Sequence, residues 1–518
     1  MTIFDFNVAI GRYARPGLGC FDTPAELSLA LDAQGISEAL VFHALAAEGD
    51  MVAGNKLLTE LLASHSRLHA CWVVAPSYAG DLPEADRWIE VAREAHVRAV
   101  RIFPRYHLYS IDEHCMGPLA AVLARAHMPL IIDFAARHWS EQVIPWVSIV
   151  TLAKQHPNLN IVIAGTTVGD VRDMFAVLRS VPNVHFDTST LIMPETHAQL
   201  ANAGHASRLL FGTGLPRRAP ECALQQLLCS NLPKAELNAI AAGNAFGLLK
   251  APSAMHRASA DWTSPKFSGP VIDVHAHCGS WERTTTPLKT PSAFLLSMDR
   301  CNIDKMVFSS FSAIHGETSR GNTEAATWAA QYPERLFAYC VVNPNFPTET
   351  RADLPRCFEE RQNFVGLKLH CQLHGAQLHD AGYAHALEYA NEHRLPVLVH
   401  GGGEDRWDDV CAQYPDANFI MAHACAWDGV DPTLRHLYAR VAHTPNLYVD
   451  TSGSPAHRGA MRALVDLVGI DKVLYGSDFP MFDLAFESGR VVRSDLGDAE
   501  KASICSENAL RIFRRMNA

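Results

Sequence analysis

The 518-residue sequence has no C-x-x-C pair, no run of eighteen apolar residues and no excess of positive charge. Each absence removes a class of function. Its 13 cysteines are scattered singly and odd in number, so a disulfide framework or a cysteine-clustered structural metal site is not expected, and a reducing cytoplasm is. Without a long apolar run or a basic, then apolar, opening to "MTIFDFNVAIG", neither a membrane span nor secretion is expected. The net charge of -11 argues against nucleic acid and anionic membranes as partners. What remains is 48% apolar and 19% charged, the profile of a globular enzyme acting on a small molecule. The length exceeds what one ordinary core serves, so two or more domains are expected.

The chain is written twice. At a shift near 267, "ISEALVFHALA" (36–46) parallels "IDKMVFSSFSA" (303–313), and "VRAVRIF" (97–103) answers "FVGLKLH" (364–370). "MPLIIDF" (128–134) answers "LPVLVHG" (395–401), and "PNLNIVIAG" (157–165) answers "PDANFIMAH" (415–423). "PNVHFDTST" (182–190) and "PNLYVDTSG" (445–453) share P-N-x-x-x-D-T-S, while "RLLFGTGLP" (208–216) matches "KVLYGSDFP" (472–480). A collinear series with so little drift is a duplication. It divides the chain into 1–252 and 270–518, joined by a linker at 253–269 that is rich in small residues and proline and lacks periodicity.

The second copy holds eight short apolar runs, ending near His275, Ser309, Val342, His370, His400, His423, Thr451 and Ser477. Segments of helical spacing such as "GYAHALEYANEHR" separate most of them. Strand and helix alternating eight times over about 250 residues predict a (β/α)8 barrel. An open doubly wound sheet shares the alternation, but the count of eight and the polar residues at strand ends favour the barrel. The chain is therefore read as α/β, two tandem TIM-like barrels.

The second copy begins with "VIDVHAHCGS". His275 and His277, at i and i+2 of a strand, share one face, which at the carboxyl end of a barrel strand is the mouth. One H-x-H is weak, since a chain with 26 His has roughly one by chance. His400 closes "LPVLVHGGG", His423 closes "NFIMAHAC" and Asp478 follows "KVLYGS", and this company changes its weight. Imidazoles and a carboxylate meeting at one mouth make a donor set for a divalent transition metal that leaves room for water.

Together "IDVHAH", "GLKLH", "LPVLVHGG", "NFIMAHAC", "YVDTSG" and "VLYGSDFP" resemble the amidohydrolase superfamily. The match is to its amidohydrolase-related branch, which includes aminocarboxymuconate-semialdehyde decarboxylase and the dihydroxybenzoate decarboxylases. The resemblance implies that His275, His277 and His400 bind the metal, and that Asp478 binds it or holds its water and shuttles the proton. It makes His423 the polarising or acid/base histidine. Zinc is the default ion, with manganese or iron suited to the same ligands. Lys368 corresponds to a place where some superfamily members carry a carboxylated, metal-bridging lysine; the other reading is that it binds a substrate carboxylate or caps the core. His370, Arg320, Arg406, Trp407 and Trp427 are candidate substrate contacts, an Arg–Trp pair being suited to aromatic or carboxylated ligands. Loops at 278–292, 310–322 and 402–410 set the pocket.

The first copy keeps the fold signal and loses this set. Asn7 stands for His275, Ala9 for His277, Asp133 for His400, Gly165 for His423, Gly214 for Asp478 and Arg101 for Lys368. It is expected to be a barrel without a metal centre. It would serve either as a scaffold in the place of a dimer partner, an intramolecular pseudo-dimer open to further homo-oligomerisation, or as a donor of Arg101, Arg105, Arg217 or Arg218 to the neighbouring site. The expected activity is hydrolysis of a small C=O substrate by metal-activated water. Nonoxidative decarboxylation of a small aromatic or unsaturated acid, and an iron or manganese oxygenase, are the alternatives.

Overall fold

A computed structural model describes the chain except residues 16, 18, 135–143, 251–266, 361–362, 402–405, 454–455 and 517–518. It divides into two compact units, Met1–Ser264 and Pro265–Ala518. Most of the linker expected at 253–269, and part of the loop at 402–410, lie outside the described residues. Among the described residues no helix is long and apolar enough to cross a membrane.

Each unit is a (β/α)8 barrel. In the first, strands β1 (Phe4–Ile10), β2 (Glu38–His43), β3 (Leu68–Val73), β4 (Ala99–Ile102), β5 (Leu130–Asp133), β6 (Ile161–Ala164), β7 (Val184–Asp187) and β8 (Leu209–Leu210) pair in sequence order, all parallel. The second repeats the order with β9 (Ile272–Cys278), β10 (Lys305–Ser310), β11 (Leu336–Val341), β12 (Phe364–His370), β13 (Pro396–His400), β14 (Asn418–Met421), β15 (Leu447–Asp450) and β16 (Val473–Leu474). Closure runs from first strand to last. Phe6 N donates to Phe211 O at 2.8 Å and Val274 N to Tyr475 O at 3.0 Å, with bridges Val8 to Leu215 and Ala276 to Phe479. Strands paired on both sides and covered by helices must be apolar on both faces, which is why their sequences read as runs and not as alternations.

The same polar latches hold both barrels. Asn55 and Asn322 each clasp the backbone of the following strand, at Val73 (2.7 and 2.8 Å) and Val341 (3.0 and 2.9 Å). Asn183 and Asn446 each donate to three carbonyls at the end of the preceding helix. Asn244 and Asn508, each just beyond a π-helical turn, tie the last helix to the carbonyls flanking β8 and β16. Buried backbone groups must be paired, and a side-chain amide does so where no strand can.

Inside the second barrel Ile272, Val274, Val307, Tyr339, Val365, Leu398, Ile420 and Leu474 form the core, plugged by Ile512, Phe513 and Met516 from the C-terminal segment. Val274 lies in that core although His275 belongs to the mouth. The register explains it: Met306 pairs with Asp273 but Phe308 with Ala276, so β9 carries a bulge that resets the alternation. A second bulge in β12 lets Val365 face the core while Lys368 and His370 face the mouth. Gly366 sits within it, and a Cβ there would lie 2.6 Å from Pro396 O.

Candidate metal centre of the second barrel

Beyond its bulge, β9 brings His275 and His277 to one side with ring centroids 5.4 Å apart. Nε2 of His277 is 2.9 Å and Nε2 of His275 3.5 Å from Asp478 Oδ1. His275, His277 and Asp478 are all buried and each offers a ligand atom within 4.8 Å of the others. Burial pushes both imidazoles far below their ordinary pKa, helped by Lys368, so they are neutral. Burial pushes the Asp478 carboxyl up, and Lys368 opposes it.

The outer nitrogens fix which atom faces inward. His275 Nδ1 donates to Asp450 Oδ2 at 2.8 Å, and a carboxylate only accepts, so the lone pair of His275 is on Nε2. His277 Nδ1 is held at Ser309, 2.9 Å from its hydroxyl, which leaves its Nε2 lone pair facing the Asp478 oxygen. Two acceptors at 2.9 Å need a proton or a cation between them. Lys368 Nζ meets His275 Nε2 at 3.0 Å. It is fully buried and its pKa is lowered by burial against the pull of Asp478 and Asp450. The donor set therefore fits a divalent cation.

Asp450 is the residue that sequence reasoning passed over. Its second oxygen accepts from Ser452 Oγ (2.5 Å), Ser452 N (3.0 Å) and His423 N (3.1 Å). Ser452 Oγ is 2.9 Å from His423 Nδ1. One carboxylate thus orients both a ligand histidine and the acid/base candidate. The signal lay in the shared D-T-S, where Asp187 of the first barrel plays the same supporting part, 2.9 Å from Asn7 Nδ2.

His400 is placed differently from His275 and His277. Its Nδ1 is 2.8 Å from His423 Nε2, its Nε2 is 3.2 Å from Gln372 Oε1, and its ring stacks on His370 at 4.0 Å. Burial lowers its pKa to about 3. It lines the same mouth through His423 but does not lie in the tight group. The remaining substrate candidates are not brought together. Arg320 is exposed on the helix Thr318–Ala329, and Arg406 is exposed and pairs with Asp409 at 3.0 Å. Trp427 is buried, donates to Asp431 O and packs on Tyr438, and Trp407 is buried in its helix. Adjacency to a strand-end loop says nothing of which way a side chain points.

Two positions carry backbone strain. His423 (φ 68°) and Asp478 (φ 57°) adopt the left-handed conformation, unfavourable for residues with a Cβ. Their counterparts Gly165 (φ 80°) and Gly214 (φ 76°) adopt it freely. The backbone shape is common to both barrels, and only the second places side chains on it.

In the first barrel the mouth is closed by a different network. Arg101, buried at the place of Lys368, donates to Asn7 Oδ1 at 2.9 Å and Asp133 Oδ2 at 2.7 Å, while Asn7 Nδ2 reaches Asp187 and Ser189. Among the described residues no group of potential metal ligands occurs there.

The amidohydrolase family model matches residues 13–250 and again 272–515. No curated protein matches the chain. Similar solved structures include a 2,6-dihydroxybenzoate decarboxylase complexed with 2,6-dihydroxybenzoate, at 16% identity and TM-score 0.40, covering 48% of this chain and 99% of that one. A 5-carboxyvanillate decarboxylase from Sphingomonas paucimobilis follows at 14% identity and TM-score 0.38, covering 48% and 99%. A dihydroxybenzoic acid decarboxylase from Polaromonas sp. JS666 with bound manganese and 2-nitroresorcinol stands at 17% and 0.40, covering 48% and 98%.

Proposed function

The chain belongs to the amidohydrolase family, whose members are metal-dependent enzymes, over both of its barrels, and from that premise we propose that the second barrel is a hydrolase of a small C=O substrate. His275, His277 and Asp478 hold a divalent ion, zinc by preference and manganese or iron on the same donors, with His400 as the outermost ligand. The observation that carries this reading is the pair of acceptors, His277 Nε2 and Asp478 Oδ1, facing each other at 2.9 Å in a buried mouth. When bound, the ion supplies Lewis acidity and brings a coordinated water toward neutral pKa. Asp478 takes the proton of the attacking water. His423, steadied through Ser452 and Asp450, passes a proton to the leaving group. Lys368 holds a substrate oxygen beside His275.

A second reading, nonoxidative decarboxylation, is favoured by Lys368 itself, a buried cation on the mouth floor able to hold a carboxylate. The metal-loaded chain should be offered esters, lactones, amides and aromatic acids while carbon dioxide release and oxygen uptake are followed. Hydrolysis products without either gas signal support the first reading; carbon dioxide from an aromatic acid selects the second. His275→Ala should abolish metal content and turnover together, His400→Ala should weaken metal less than His275→Ala does, and His423→Asn should keep the metal while losing about 10²–10⁴ in turnover. Full turnover in His275→Ala would sink the site.

A further inference from the structure

In the first barrel the loss of the Asp478 carboxylate is accompanied by a gain of positive charge. The turn after β16 reads Asp478-Phe479-Pro480-Met481-Phe482, and its counterpart after β8 reads Gly214-Leu215-Pro216-Arg217-Arg218. Met481 and Phe482 are buried apolar side chains; both places hold arginine in the first barrel. A Cβ on Gly214 would lie 2.8 Å from Arg218 Cδ and 3.2 Å from its Cγ. The stem of Arg218 therefore fills the room that the carboxylate takes in the second barrel.

Arg218 is half-buried, and the acidic groups acting on it are Asp187 and Asp133. Both are already engaged: Asp133 by Arg101 at 2.7 Å, Asp187 by Asn7 at 2.9 Å and by Ser189. Among the described residues no side-chain hydrogen bond reaches the Arg218 guanidinium. Tyr13 lies in the same field, that of Arg217, Arg101 and Asp133. It is 9% exposed, and among the described residues its hydroxyl also has no partner. The Arg217 guanidinium covers its ring at 4.4 Å.

A guanidinium presents a planar fork that matches a carboxylate in two parallel hydrogen bonds, and a phenol adds a neutral donor. We propose that the mouth of the first barrel is a binding site for a small organic monocarboxylate, held by Arg218 and Tyr13. The floor beneath it, Arg101 paired to Asp133, supplies fixed positive charge where the second barrel would hold an ion.

The test is calorimetric titration of the full, metal-loaded chain with benzoate, repeated on Arg218→Met and Tyr13→Phe. Benzoate should bind the unaltered chain, with one binding event weakened by about tenfold or more in Arg218→Met and by less in Tyr13→Phe, at unchanged metal content. Titrations of both variants that match the unaltered chain overturn the proposal, as does failure of benzoate to bind at about 10 mM. Inorganic phosphate bound as tightly as benzoate through Arg218 overturns the carboxylate assignment. Should Arg218→Met fail to fold, Arg218→Lys keeps the charge without the fork and should still weaken binding; unchanged affinity there refutes the bidentate contact.

Discussion

Replacing His423 or Asp478 separately by glycine and by alanine isolates the cost of the backbone at the candidate centre. Both substitutions remove the functional groups and leave nearly the same void, and they differ in whether a Cβ must sit at φ 68° or 57°. For an L-residue the left-handed conformation costs about 1–2 kcal/mol. Glycine gives part of this back because its unfolded chain is freer, by about 0.5–1 kcal/mol. The glycine variant should therefore exceed the alanine variant in stability by about 0.5–1 kcal/mol at each position. The measurement is the urea midpoint of the transition on chelator-treated protein, so that metal does not enter. Removing the buried Asp478 carboxyl, pushed up by burial, should make Asp478→Gly at least as stable as the unaltered chain while turnover is lost. Alanine variants as stable as glycine variants at both positions would refute the claim that strain is stored here.

Asp450→Asn leaves the fold's volume intact but removes the acceptor that sets the His275 tautomer. Metal affinity should fall about 10–100-fold, the usual effect of losing a carboxylate behind a ligand histidine, as read by competition with a chelator; an unchanged affinity would remove Asp450 from the site. In the first barrel, burial pushes Asp5 up to about 7 while Thr213 and Asn7 donate to it. A raised carboxyl keeps its proton longer in the folded state, so its contribution is fullest below the ordinary carboxylate range and is lost as pH rises toward 7. Asp5→Asn, a neutral stand-in, should show a shallower loss of urea midpoint between pH 4.5 and 7.5 than the unaltered chain; identical slopes would count against it.

Much of this architecture was legible. Eight apolar runs per copy and the collinear duplication specify two barrels, because strands covered on both sides cannot hide their hydrophobicity. His275, His277 and Asp478 were legible for a related reason: polar residues that end apolar strands have few places to go but the mouth. The bulges at β9 and β12 were not, since one extra residue in a strand leaves no compositional trace, yet they decide that Val274 faces the core and His275 the mouth. Asp450 was hidden by its own generality. The D-T-S occurs in both copies and reads as fold, and its task differs only because His275 stands opposite it in one and Asn7 in the other. Arg320, Arg406 and Trp427 show the converse, residues of suggestive type whose direction only three dimensions supply.

The Arg101 network has a consequence for supply. A guanidinium is delivered with the polypeptide, whereas an ion must be gathered from the surroundings. The mouth of the first barrel is thus electrically complete once the chain has folded, its positive centre covalently bound and held by Asn7 and Asp133. The second barrel finishes only when an external inventory provides for it. Scarcity then acts on one half of the molecule alone, and withdrawing divalent ions would disarm the chain without unmaking the half that never depended on them.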